Sequence, residues 1–166
     1  MSKLKAYAAL ACMALLAASA CGGAGGFRVK ADGQETAVEP KTAAAVVRKD
    51  LKETHVVVAN HEPDLAGKSV MGMPRPKEAG KVYVTFGVKG DGDFHNPVKP
   101  GEYTGDKIRW VDFHYFKDSR SEVVNFNRKQ GTIRITSVSD AAVSGSIDVS
   151  DGERTVKGDF EAKVLK

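Results

Sequence analysis

Cysteine is almost missing from this 166-residue chain: there are two, Cys12 and Cys21. Beyond Cys21 no disulfide can form and no thiol is free for catalysis, so the rest of the chain must be held by a packed core. Strong net charge is missing as well. The 25 basic and 21 acidic residues leave +4, alternating along the chain with no basic stripe interleaved with aromatics, so a nucleic-acid partner is not expected. No apolar run is long enough to span a bilayer as a helix; the longest, Ala6 to Ala18, falls short. Helical periodicity is not sustained anywhere beyond it, and no Gly-x-Ser-x-Gly elbow occurs, since Ser144 and Ser146 lie inside a strand pattern.

The N-terminus has three parts. Met1 to Lys5 is short and basic, Ala6 to Ala18 is apolar, and Ser19 and Ala20 are small. That order predicts a secretory signal peptide over residues 1–20. Ala18-Ser19-Ala20-Cys21 resembles the lipobox of bacterial lipoproteins, with Ala18 where leucine is usual. The resemblance implies cleavage before Cys21, a diacylglycerol thioether on its sulfur and an acyl group, commonly palmitate, on its amine. Two or more chains give stable membrane attachment, because each buried methylene contributes roughly 0.8 kcal/mol. Gly22 to Gly26, with one alanine, reads as a flexible tether. In such lipoproteins an aspartate after the cysteine favours inner-membrane retention. Gly22 is not that signal, so the expected location is the cell envelope, and the outer membrane if the organism is Gram-negative.

Loss of Lys3 and Lys5 with the leader leaves 23 basic against 21 acidic residues. Residues 21–166 are long enough for one domain with a real core. Residues 21–41 are expected to be the lipidated cysteine and tether, with at most one edge strand after Phe27, and residues 42–166 a single β domain. Ala43 to Lys49 suggests a helix on alanine propensity alone. His55 to Asn60 is β-branched and reads as a strand, and residues 61–80, with Pro63, Pro74 and Pro76, as a long loop. In Lys81 to Val88, alternation puts Val82, Val84, Phe86 and Val88 on one face. Ile108–Phe116 and Glu122–Arg128 read as the next two strands.

Asp151-Gly152 suggests a two-residue hairpin turn. Facing residues would then sum to 303, so that Val149 meets Arg154, Ile147 meets Val156, Gly145 meets Gly158 and Val143 meets Phe160. One face comes out apolar and the other polar. The facing glycines predict a depression filled by Trp110 or a phenylalanine. Ile133 and Ile135 share the core face only if the connection around Asp140-Ala141 holds an odd number of residues. Short strands at this spacing predict an all-β fold, an antiparallel β-sandwich, with an antiparallel β-barrel as the alternative.

The run Gly131-Thr132-Ile133-Arg134-Ile135-Thr136, then Val143-Ser144-Gly145-Ser146-Ile147, then Gly158-Asp159-Phe160 is similar to the closing strands of small uncharacterised bacterial lipoproteins. Pro100-Gly101-Glu102-Tyr103 resembles an element before their middle strands. The resemblance covers roughly the last 65 residues. It implies fold and location and carries no catalytic residue across.

Candidate chemistry is sparse. His55, His61, His95 and His114 match no zinc spacing, so no metal or other cofactor is expected. Asp91-Gly92-Asp93 begins like a calcium loop and ends on Glu102. His95 and Asn96 stand at its fifth and sixth positions, and Pro97 and Pro100 break its geometry. The aromatic concentration is Ile108–Phe116, with Ile108, Trp110, Asp112, His114 and Phe116 on one face and Val111, Phe113 and Tyr115 on the other. Apolar groups on both faces fit a central strand. Trp110, Asp112 and His114 are the residues expected to touch a ligand or partner if that face is functional. The sequence therefore suggests a non-enzymatic, membrane-anchored binding or interaction module whose partner is another envelope protein. The alternative is a carrier of a small apolar ligand in a barrel or sandwich cavity.

Overall fold

In the computed structural model, which describes residues 26–65, 70, 73–93 and 97–165, the chain is all-β. Eleven strands form one curled sheet: β1 (Phe27–Ala31), β2 (Gln34–Val38), β3 (Thr42–Arg48), β4 (Glu53–Ala59), β5 (Val82–Lys89), β6 (Gly101–Tyr103), β7 (Ile108–Lys117), β8 (Arg120–Asn125), β9 (Gln130–Val138), β10 (Ala142–Ser150) and β11 (Thr155–Val164). Their order is β6-β9-β10-β11-β3-β4-β5-β7-β8, with the β1–β2 hairpin attached to the first half of β11. Every pairing is antiparallel except β11 with β3. Among the described residues no helix is long and apolar enough to cross a membrane.

The sheet is a half-barrel, within the sandwich-or-barrel class expected. Phe86 on β5 and Phe160 on β11 are three strand steps apart, about 14 Å in a flat sheet. Their ring centroids lie 5.1 Å apart, edge to face, so the sheet has rolled until its inner faces touch. Two hydrogen bonds link the β7–β8 end of the sheet to the β10–β11 turn and to the β1–β2 turn. Arg154 Nη1 donates to the Asn125 carbonyl at 2.9 Å, and Tyr115 Oη donates to Asp32 Oδ2 at 3.2 Å. The enclosed core includes Val29, Val56, Val84, Phe86, Ile133, Ile147 and Phe160. As the alternation required, Val82, Val84, Phe86 and Val88 all point into it.

A second apolar cluster lies on the outer face. Ala44, Val57, Ala59 and Tyr83 pack under Leu65, Val70 and Met73 from the segment between β4 and β5. That segment is the expected loop, and it acts as a cover. With both faces occupied, β4 is buried throughout and β5 everywhere but Lys89.

Several expectations are corrected. The alanine-rich stretch is β3, because pairing with β4 and β11 outweighs a helix propensity of a few tenths of a kcal/mol per residue. The lead-in expected over residues 21–41 is not irregular from Phe27 on. Residues 27–38 are a hairpin, turned at Asp32 (φ 51°) and Gly33 (φ 76°), and Phe27 and Val29 are wholly buried. The folded unit therefore includes Phe27–Ala31 and Gln34–Val38 as well as the residues from 42 on. The β10–β11 turn is longer than two residues. Only Gly152 takes positive φ there, and Asp151 N–H donates to the Arg154 carbonyl at 3.1 Å. The register moves by two: Val149 faces Val156, Ile147 faces Gly158, Gly145 faces Phe160 and Val143 faces Ala162. A shift of two preserves the faces, so the apolar side remains inside.

The glycines consequently do not pair. Gly158 accommodates Phe27, whose Cδ2 would lie 2.7 Å from an added Cβ, so a phenylalanine does fill that space. Gly145 lies against the backbone of Arg134 and Ile135 instead. The register of β9 with β10 shifts between Ser144 and Gly145, and this bulge brings Ile133 and Ile135 to the core face. A second irregularity, opposite Gly87 and Val88, turns Ile108 inward. It joins the core with Val111 and Phe113 and leaves the Trp110 face.

Candidate functional site

The outer face of β4, β5 and β7 carries the polar groups of interest. Registry sets His55, Gly87 and Trp110 in one cross-strand row, Val57, Thr85 and Asp112 in the next, and Ala59, Tyr83 and His114 in a third. Trp110, Asp112 and His114 therefore share one half-buried face, as alternation along β7 predicts.

Gly87 makes room for the indole, since a Cβ there would overlap the Trp110 ring. The Trp110 ring then meets His55 edge-on, with centroids 4.4 Å apart and planes at 78°. His55 is 2% exposed, and its Nε2 lies 3.0 Å from Glu53 Oε2. Arg109 Nε donates to the other Glu53 oxygen at 2.8 Å. Burial lowers the His55 pKa, while the Glu53 hydrogen bond and charge oppose that shift. Glu53 thus links a buried imidazole to an Arg109 side chain that is 47% exposed.

Asp112 accepts a hydrogen bond from Asn125 Nδ2 at 2.7 Å. Burial still raises its pKa, with Asn125 and Lys129 pulling the other way. His114 stacks on Tyr83, centroids 4.2 Å apart and planes 20° from parallel. Burial, helped by the Arg75 charge, pushes the His114 pKa down to about 4, and burial pushes the Tyr83 hydroxyl up to about 12. His114 Nδ1 is buried and finds no hydrogen-bond partner among the described residues.

The arrangement offers neutral imidazole, indole and carboxylate groups on a rigid sheet, which suits recognition. Among the described residues no group of three His, Cys, Asp or Glu side chains gathers to hold a metal ion. His61 lies 6.2 Å from Tyr83 by ring centroid and bonds Asn60 Oδ1 through Nδ1 at 3.2 Å. Glu102 pairs with Arg134, and Asp91 with Lys107, so the two ends of the rejected calcium pattern have other partners. His95 and Cys21 lie outside the described residues. Glu53, Arg109 and Tyr83 did not stand out in the sequence, because strand order and register alone bring Glu53 to an arginine 56 positions away.

This burial has a pH consequence. His114 titrates from about 4 in the folded chain against the ordinary value of 6.5, so the native state binds its proton more weakly. Stability owed to the neutral ring is intact above pH 6.5. It is lost as pH falls toward 4, by about 3 kcal/mol in all. His55 acts in the same direction, while the raised pKa of Asp112 acts in the opposite one. His114→Phe, which keeps a ring against Tyr83, is expected to flatten the acid limb of stability, measured by urea unfolding at pH 7.5 and 4.0. Identical losses in parent and variant would contradict this burial.

Comparison with known protein families, with curated proteins and with solved structures gives no match.

Proposed function

We propose that this chain is a non-enzymatic binding module held at the cell envelope by lipid on Cys21, which recognises a partner through the outer face of β7. The observation that carries the reading is the row Trp110–Asp112–His114, half-buried on β7 between β5 and β8 and backed by the Glu53–His55–Arg109 network. Groups held in fixed rotamers lose little entropy on binding, and an aromatic beside half-desolvated polar groups is the usual composition of a recognition patch. The N-terminal pattern supports the anchoring half of the reading, and the likeness of the closing strands to those of small bacterial lipoproteins agrees with it. An envelope protein is the partner class that such an anchor would bring into reach.

A photo-crosslinking residue at Asn125, beside Asp112, tests the patch in cells of the host. The expected result is one adduct of discrete mass, absent when the crosslinker is at Glu35 on β2 and lost in the Trp110→Ala variant. The same products from both positions, or none from Asn125, would contradict the assignment.

A further inference from the structure

We propose that the cleft at the end of the half-barrel where β3, β9 and β11 finish binds a small uncharged apolar molecule through a single hydrogen-bonding oxygen. Val47, Val98, Val138, Val164 and Leu165 supply its apolar walls, and its volume is about 280 Å³. That is near the lower end of the roughly 300–1,000 Å³ usual for ligand pockets, which suits a small ring or short chain. Thr54 also lines it. This residue is 1% exposed, and its Oγ1 finds no hydrogen-bond partner among the described residues.

A buried hydroxyl without a partner is unfavourable, and buried polar groups of folded chains are nearly always satisfied by protein, water or ligand. The side chains facing Thr54 on the neighbouring strands, Val47 and Val88, offer it no partner. Ser139 is engaged in its own turn, where its Oγ accepts from the N–H groups of Ala141 and Ala142. Lys49 and Asp140 are exposed at the rim. Of the four polar residues in the lining, Lys49, Ser139 and Asp140 are exposed and Thr54 is the one that is buried. A charged group would lose its hydration there without a buried counter-ion, so the fitting ligand is neutral.

The cleft differs from the cavity expected between Gly145 and Gly158, which is occupied by Phe27 and by the β9 backbone. Its position relative to the N-terminus also matters. β1 runs antiparallel to β11, with Arg28 opposite Lys157 and Lys30 opposite Thr155. β11 ends at the cleft, so the chain enters β1 from the cleft's side. If Cys21 carries the anchor, a bilayer rich in apolar molecules lies within a short tether of the domain; that proximity rests on the anchoring proposal, while the binding site does not.

The test uses residues 21–166 with Cys21→Ser, titrated by methyl NMR with cyclohexanone and with cyclohexane, which has the same shape but no oxygen. Cyclohexanone is expected to shift the Thr54, Val98 and Val164 methyl signals in a saturable way. The isosteric Thr54→Val variant should bind it about fivefold more weakly with cyclohexane binding not reduced, and Thr54→Ser should keep the parent affinity. The proposal is overturned by shifts located elsewhere, by an equal loss for both probes in Thr54→Val, or by no saturable binding, which would leave water as the partner of the hydroxyl. Crosslinking at Asn125 and acylation at Cys21 are read separately, so their failure does not mimic any of these outcomes.

Discussion

Replacing Gly145 with alanine is expected to destabilise the domain by about 3 kcal/mol and to lower its melting temperature by about 10 °C. Gly145 is buried on β10, where the β9 register shifts, and an added Cβ would overlap the backbone carbonyl oxygen of Arg134. A side chain could rotate away, whereas a strand backbone within a ladder can yield only by breaking its hydrogen bonds. Gly26→Ala provides the contrast, because nothing lies within 4 Å of a Cβ at that exposed site. It should change stability by no more than about 0.5 kcal/mol. Scanning calorimetry of both variants reads the difference. An unchanged melting temperature for Gly145→Ala would contradict the register described here.

The second large effect concerns Cys21. Cys21→Ser is expected to abolish incorporation of a palmitate analogue entirely and to give an uncleaved precursor or a soluble product, because serine offers no sulfur for the thioether. With each acyl methylene contributing roughly 0.8 kcal/mol, removing whole chains takes away nearly all membrane affinity that does not depend on a partner. Label retained in the variant would refute attachment at this position.

Strand existence and facing were legible because alternation is a property of parity. Val82, Val84, Phe86 and Val88 had to share a face, and they do. The same property explains why the β10–β11 register could slip by two without disturbing the inward set. Parity gives no information on turn length, and Asp151-Gly152 is compatible with more than one turn. Asp32-Gly33 carries the same turn signal, and Phe27, Val29 and Ala31 alternate with Arg28 and Lys30 before it; what the pattern does not show is the partner that buries Phe27 and Val29, the distant β11. Ile108 lies on the face opposite to the one alternation predicts, because a bulge breaks the alternation locally and no residue there announces it.

The candidate site divides along the same line. Trp110, Asp112 and His114 share a strand, so their common face followed from spacing. Their neighbours came from β4 and β5, whose place beside β7 is a matter of sheet order. Tyr83 under His114 and Glu53 between His55 and Arg109 could be found only once that order was known. Thr54 is the clearest case. In the sequence it is one polar residue before a run of valines, and only the closed fold shows its hydroxyl buried without a partner.

The intact mass of the protein, purified from the membranes of its host, tests most directly the proposal that this β module is held at a membrane through Cys21. The expected mass is that of a chain beginning at Cys21 and carrying a diacylglycerol, with or without a further acyl group. A chain beginning at Met1, or any unacylated chain with a different start, would contradict it.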